Sequence, residues 1–160
     1  MSDFTTVDLL RHGEPEGGQM FRGAVDDPLS PRGWEQMRAA VGDCRVWDAV
    51  VSSPLIRCAA FASELAGHLG QPLDIVEGFK ELSFGAWEGR SVADVHAADP
   101  QALAYFWRDP IAHPIPGGEP VDAFDQRIGS AWDALLNCYR GRHVLLVAHG
   151  GTIRMVLRRL

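Results

Sequence analysis

The stretch HVLLVAHGGTIR, His143 to Arg154, decides how this chain folds. His143–Ala148 is a short, almost wholly apolar run, the kind that forms a strand covered on both faces of a parallel sheet. It exits through His149-Gly150-Gly151 into a helix from Thr152, with Ile153, Val156, Leu157 and Leu160 on one face. A strand that passes into a helix in this way is the repeating unit of α/β proteins. The same unit opens the chain, where the strand candidate Phe4–Leu10 runs into Arg11-His12-Gly13. It recurs where Ala49–Ser52 runs into Ser53-Pro54.

The intervening segments fit that frame. A Gly/Pro-rich loop extends to about Pro28, and Ser30-Pro31 is an N-cap and first-turn pair for a helix to Val41. Ser53-Pro54 opens a second helix whose apolar stripe is Leu55, Ala59, Ala62, Leu65, Ala66 and Leu69, with Gly70 as its C-cap. Leu73–Val76 is a third strand, and the glycine-rich FKELSFGAWEG (Phe79–Gly89) is a loop. Ser91 with Asp94 forms a capping box, Pro100–Arg108 is a short aromatic helix, and Pro110–Pro120 is irregular. Val121–Tyr139 is a long amphipathic helix. These elements predict one α/β domain over residues 1–160, a three-layer α/β/α sandwich with a mostly parallel central sheet and a cap-like insertion at about 84–120. The last helix keeps its apolar face to the final residue, so native sequence is expected beyond Leu160.

Composition narrows the function. The 160 residues are 46% apolar and 22% charged, enough to bury a core. The net charge of −6 argues against a general nucleic-acid binder, and no apolar run is long enough for a membrane span. Lys80 is the only lysine; every other basic residue is arginine, whose planar fork suits bidentate anion recognition. Cys44, Cys58 and Cys138 are scattered, which fits reduced thiols in a cytoplasmic protein better than a disulfide framework. The N-terminus lacks a secretory pattern.

Parallel strands joined through helices bring ligands to the carboxyl edge of the sheet. Three strand exits place unusual residues there: Arg11 and His12, then Arg57 one turn after Ser53-Pro54, then His149 with its two glycines. Singly, each has a structural reading, as a surface arginine, a snorkelling arginine or a strand-end histidine that only completes a hydrogen bond. Together they describe an anion pocket with two guanidiniums, helix N-terminal amides and two imidazoles, one of them available as a nucleophile. A carboxyl group is needed to protonate a leaving alkoxide and then activate water. Glu81 and Glu88 both qualify by position, with Glu77 and Glu119 behind them. Other phosphate and hydrolase chemistries lack their motifs. There is no GxxxxGK[ST], no cysteine with an arginine six positions later, no GxSxG and no HExxH, and the remaining histidines show no ligand spacing.

In LLRHGEP (9–15), RGAVDDPLSPRGWEQ (22–36), VVSSPLIRCAAFA (50–62), ELSFGAWEG (81–89) and VLLVAHGGTIR (144–154), the chain resembles the histidine phosphatase superfamily, the phosphoglycerate mutase-like group. The five blocks stand in the family's order and cover nearly the whole chain. The resemblance implies that His12 is the phosphorylated nucleophile, that Arg11, Arg57 and His149 (if cationic) bind the phosphoryl group, and that Glu81 is the proton donor. It also implies phosphate contacts from the amides of Gly23 and Gly150, and neither metal nor other cofactor. FGAWEG after the glutamate and the short chain are similar to the phosphatase branch, including α-ribazole phosphatases and fructose-2,6-bisphosphatase-like enzymes. The expected activity is a metal-independent phosphomonoester hydrolase on a small metabolite, α-ribazole 5'-phosphate or a sugar phosphate among the candidates. The alternatives are a phosphoglycerate mutase-type transferase and a weakly active phospho-ligand binder. The rest of the substrate is expected to meet Glu14–Arg22 and Phe84–Gly118. Arg22 and Arg90 are candidates for a second anionic group, their default being solvated surface. Trp87, Tyr105, Phe106 and Trp107 are set between ring stacking and core. No nucleic acid or membrane partner is expected, and a homodimer is left open.

Overall fold

The computed structural model describes residues 4–160. Its strands are β1 (Thr6–Arg11), β2 (Ala49–Ser52), β3 (Leu73–Ile75) and β4 (His143–Ala148), and its helices α1 (Pro31–Val41), α2 (Ile56–Leu69), α3 (Val92–Ala98), α4 (Pro100–Arg108), α5 (Val121–Cys138) and α6 (Gly150–Leu157). All strand pairs are parallel and the sheet order is β1-β4-β2-β3. The last strand lies between the first two, with Arg11 opposite Ala148 and Ser52 opposite Val147. That register brings the exits of β1, β2 and β4 side by side at one edge.

The alternation of side chains along buried strands feeds two cores. Val50, Leu145 and Val147 pack on one face with Met37 and Val41 of α1 and Cys58, Phe61, Ala62 and Leu65 of α2. Val51, Val144, Leu146 and Ala148 pack on the other with Phe124, Ile128, Trp132 and Leu135 of α5 and Val156 of α6. Residues between 84 and 120 add a small third cluster of Trp87, Val95, Leu103 and Ile115, edged by Phe21, Phe84 and Phe106. Trp87, 5% exposed, and Phe106 are therefore core rather than free stacking faces, whereas Trp107 is 61% exposed.

Several boundaries differ from expectation for identifiable reasons. β1 begins at Thr6 and includes Arg11, because pairing with β4 continues to Ala148; Phe4 stands outside it, exposed. α2 starts at Ile56 rather than after Ser53: the Ser53 hydroxyl accepts from Leu55 N, at 3.3 Å, while it also meets His149, and the first α2 amide donates to Asp26 Oδ1 of another loop at 2.7 Å. The 79–89 loop contains a 3-10 turn at Gly85–Trp87 and follows another at Glu77–Phe79. α6 begins at Gly150, two residues early, and only Ile153 and Val156 of its expected apolar face pack inward; Leu157 and Leu160 are exposed. Ser30 does cap α1, accepting from Gly33 N at 3.0 Å, and its hydroxyl donates to the Glu14 carbonyl at 3.0 Å. Beneath this cap a Cβ on Gly13 would lie 2.2 Å from the Gly33 carbonyl oxygen, so the loop after β1 seats directly on α1 only because both residues are glycine.

Leu146 is fully buried in the central strand β4. Leu146→Ala removes side-chain volume that rigid neighbours on both flanking strands cannot refill, and urea unfolding should show a loss of about 2–5 kcal/mol.

Candidate active site

His12 leaves β1 with its backbone amide still in the sheet, donating to the Ala148 carbonyl at 3.0 Å. Its Nδ1 lies 2.7 Å from the Gly13 carbonyl oxygen. A carbonyl only accepts, so Nδ1 carries the proton and Nε2 keeps its lone pair. Burial, together with the nearby Arg57, Arg11 and Arg22 charges, lowers the pKa of His12 to about 4, although the Gly13 bond pulls the other way. The imidazole is therefore neutral at physiological pH, with the Nε2 lone pair unprotonated.

The His149 ring stands edge-on to His12 with centroids 5.2 Å apart. It is fully buried, shares a 2.7 Å hydrogen bond between Nε2 and Ser53 Oγ, and lies 3.6 Å from Cys58 Sγ. Desolvation first, and Arg57 next, lower its pKa to about 2. His149 is thus not the cation it was allowed to be: it is a neutral hydrogen-bonding group, and positive charge at this edge comes from the arginines. Burial pushes the Cys58 thiol up, so it stays protonated, and Sγ donates to the Ala148 carbonyl at 3.5 Å.

Arg57, in the first turn of α2, is 1% exposed. Its Nη1 and Nη2 donate to the carbonyls of Val25 and Gly23 at 2.7 and 2.8 Å, and its Nε is buried without a partner among the described residues. The guanidinium thereby shapes the turn at Gly23, where φ is +52° and a Cβ would meet Glu88 Oε1 at 2.4 Å. Arg11 lies over the start of α6, its guanidinium carbon 3.4 Å from where a Cβ on Gly150 would be. The α6 N-terminus and three guanidiniums thus surround two neutral imidazoles, an arrangement suited to a phosphate-sized anion.

The two glutamates separate by their bonds. Glu88 Oε1 accepts from the amides of Ala24 and Phe84 at 2.9 and 3.0 Å and from Ser83 Oγ at 3.2 Å, so it laces two loops together. Glu81 reaches α6, where Oε2 accepts from Gly151 N at 3.0 Å while Oε1 accepts from Leu82 N. Its carboxyl is therefore fixed two residues from His149. Glu119 is bound in an ion pair with Arg127, and Glu77 pairs with Lys80 at the surface. A cavity of about 720 Å³ opens beside this loop, walled by Glu81, Ser83, Glu119, Arg127 and Ala131.

Arg22 departs from its solvated default. It is 9% exposed, pairs with Asp27 at 3.1 Å and donates to the carbonyls of Glu16 and Gly18, so it closes the 16–22 loop while adding to the positive field on His12. The Arg90 side chain donates to the Asp94 carbonyl at the α3 capping box and makes no bond to the residues above. Sequence reasoning missed the Asp26 cap, the Ser53 contact to His149 and the Arg127 fork; each depends on a partner at least 30 residues away or on a loop conformation that local patterns do not encode. Among the described residues no group of three or more His, Cys, Asp or Glu side chains is placed to hold a metal ion, and no helix is long and apolar enough to cross a membrane.

Known proteins resemble this chain in sequence and in fold. The chain is 35% identical over 156 residues to glucosyl-3-phosphoglycerate phosphatase of Mycolicibacterium vanbaalenii, covering 91% of this chain and 69% of that one. It is 32% identical over 165 residues to the 2,3-bisphosphoglycerate-dependent phosphoglycerate mutase of Rhizobium etli, covering 94% and 77%. The crystal structure of α-ribazole phosphatase from Shigella flexneri superposes with a TM-score of 0.83 at 27% identity, covering 96% and 78%. Against some relatives the chain spans only 43% of their length, against others 79%. A family model for the histidine phosphatase superfamily, branch 1, matches residues 7–160, and the chain belongs to that superfamily.

Proposed function

We propose that this protein is a metal-independent phosphomonoester hydrolase that works through a phosphohistidine at His12. The observation that carries the reading is the His12 ring itself: Nδ1–H bound to the Gly13 carbonyl and Nε2 unprotonated beside three arginines. In the first half-reaction the Nε2 lone pair attacks phosphorus, the P–O bond to the leaving group breaks, and Glu81 gives that oxygen its proton. Arg57 through Nε, Arg11 and the Gly23 and Gly150 amides offset charge on the equatorial oxygens, with His149 as a neutral partner. In the second, Glu81 takes a proton from water as the water oxygen attacks phosphorus and the P–N bond breaks, returning free His12 and inorganic phosphate.

The substrate is read as a small phosphorylated metabolite. Relatives named for α-ribazole and glucosyl-3-phosphoglycerate phosphatases support a sugar or ribose-like phosphate as the class. The mutase relative supports a second reading, transfer between phosphoglycerates. Incubation with p-nitrophenyl phosphate and a panel of sugar and glycerate phosphates in EDTA separates these. Net phosphate release supports the hydrolase, isomerisation with little release supports the mutase, and binding without turnover supports a phospho-ligand binder.

Three outcomes are expected. His12→Ala abolishes EDTA-resistant hydrolysis and the acid-labile, base-stable phosphoenzyme trapped by quenching during turnover; a phosphoenzyme persisting in the variant places the covalent bond elsewhere. Glu81→Gln slows alkyl phosphates by about 10²–10⁴-fold but p-nitrophenyl phosphate far less, because nitrophenolate leaves without a proton. The pH profile of kcat/KM, after allowance for substrate ionisation, keeps its acid limb near pH 4 rather than near 6.5. The sign follows from His12, which attacks only when neutral and whose lowered pKa keeps it neutral well into the acid range.

A further inference from the structure

We infer that Arg127 is a positioning residue for Glu81, acting through a fork that fixes the loop carrying the acid; this rests on the general-acid role proposed for Glu81. Arg127 lies on α5, and none of its bonds reaches His12, His149 or Arg57. Its Nη1 donates to the carbonyls of Gly78 and Lys80 at 2.9 and 3.1 Å, and Nη2 reaches the Glu81 carbonyl at 3.5 Å. Nε and Nη2 meet both carboxylate oxygens of Glu119 at 2.9 and 2.8 Å, the bidentate geometry that only a planar guanidinium supplies. The group lies 5.0 Å from the Phe124 ring centroid, which supports it from below.

Glu119 extends the clamp, because its backbone amide donates to the Ser83 carbonyl at 3.0 Å. The chain on either side of Glu81 is thus held from one guanidinium, at 78 and 80 directly and at 83 through Glu119. On the far side the Thr152 hydroxyl of α6 lies 3.3 and 3.2 Å from the carbonyls of Phe79 and Lys80. Glu81 therefore sits on a loop without regular structure that is pinned between α5 and α6. The α6 contacts do not reach the Gly78 and Ser83 carbonyls and Glu88 holds only the far end of the loop, so the Arg127 fork, with Glu119, fixes the path around Glu81 and with it the approach of the carboxyl to the leaving oxygen. Displacement of a proton donor by about 1 Å costs on the order of 100-fold in the step that needs it.

The test compares p-nitrophenyl phosphate with β-glycerophosphate in the full chain, in Arg127→Met, Arg127→Lys, Glu119→Gln and Glu81→Gln. Arg127→Met is expected to lower kcat on β-glycerophosphate by about 100-fold and on p-nitrophenyl phosphate by less than about tenfold, with KM for both nearly unchanged. Arg127→Lys restores little, since an ammonium supplies charge but not the fork, and Glu119→Gln gives an intermediate loss with the same ester preference. Equal loss on both esters, or a loss confined to KM, overturns the proposal, because a merely structural defect lowers the active fraction for every ester alike. Where Arg127→Met fails to fold, Glu119→Gln carries the same comparison. If Glu81→Gln itself fails to discriminate the esters, the general-acid reading falls and this inference with it; if Glu81→Gln discriminates and the Arg127 variants do not, only this inference falls.

Discussion

Arg57 is a cation buried to 1% exposure that bonds two backbone carbonyls and no carboxylate among the described residues. Burying a charge without its counter-ion costs several kcal/mol, a cost that a fold bears only through packing elsewhere. Here α2, which carries Arg57, is anchored by Cys58, Phe61, Ala62 and Leu65 in the core beneath the sheet. The same desolvated edge holds His12 and His149. Burial first, and then the Arg57 and Arg11 charges, lower the pKa of His12 and of His149, so neither ring holds a second proton at neutral pH. The same burial leaves both imidazoles uncharged, and the arginines make the crevice favourable for an anion despite a net chain charge of −6.

How much of this was legible in the sequence follows from the range of the interactions involved. The strands before Arg11, Ser53 and His149 were legible because apolar runs and strand-to-helix exits are local signals. Ser30 and the Ser91–Asp94 box were legible because a capping bond spans only three residues. The position of β4 between β1 and β2 gives the site its shape, and no local pattern encodes it. The start of α2 was misplaced because its cap comes from Asp26, thirty residues earlier. Nor did position alone distinguish Glu81 from Glu88. What separates their environments is a set of backbone amides, Ala24 and Phe84 for one and Gly151 for the other, whose meeting depends on the finished fold. The resemblance to known sequences favoured Glu81 where local reasoning had no means to choose.

The charge of His149 shows a different limit. Sequence can place an imidazole at a sheet edge, but its protonation depends on how completely the edge is desolvated. Full burial, contact with Cys58 Sγ and a shared hydrogen bond with Ser53 Oγ are tertiary facts. A cationic reading of a polar cluster at a sheet edge assumes water, and here the packing removes it.

If Glu81 is the proton donor proposed above, an irregular segment must hold it with the precision that catalysis demands. Side chains on helices and strands are ordinarily held better than those on loops. The 76–88 segment meets the demand by bonding outward at nearly every turn. Val76 N donates to Ser52 of β2, Thr152 and Gly151 of α6 bond the centre, Arg127 of α5 forks across it, and Glu88 ties its end to Ala24. Three of these anchors also place the other site residues: β2 leads toward Arg57, α6 starts directly after His149, and Ala24 follows Gly23. A shift of the loop therefore strains the same elements that hold His149, Arg57 and Gly23. Coupled in this way, the proposed acid Glu81 and the proposed nucleophile His12 are organised together, and on that reading little reorganisation is left for the chemical step.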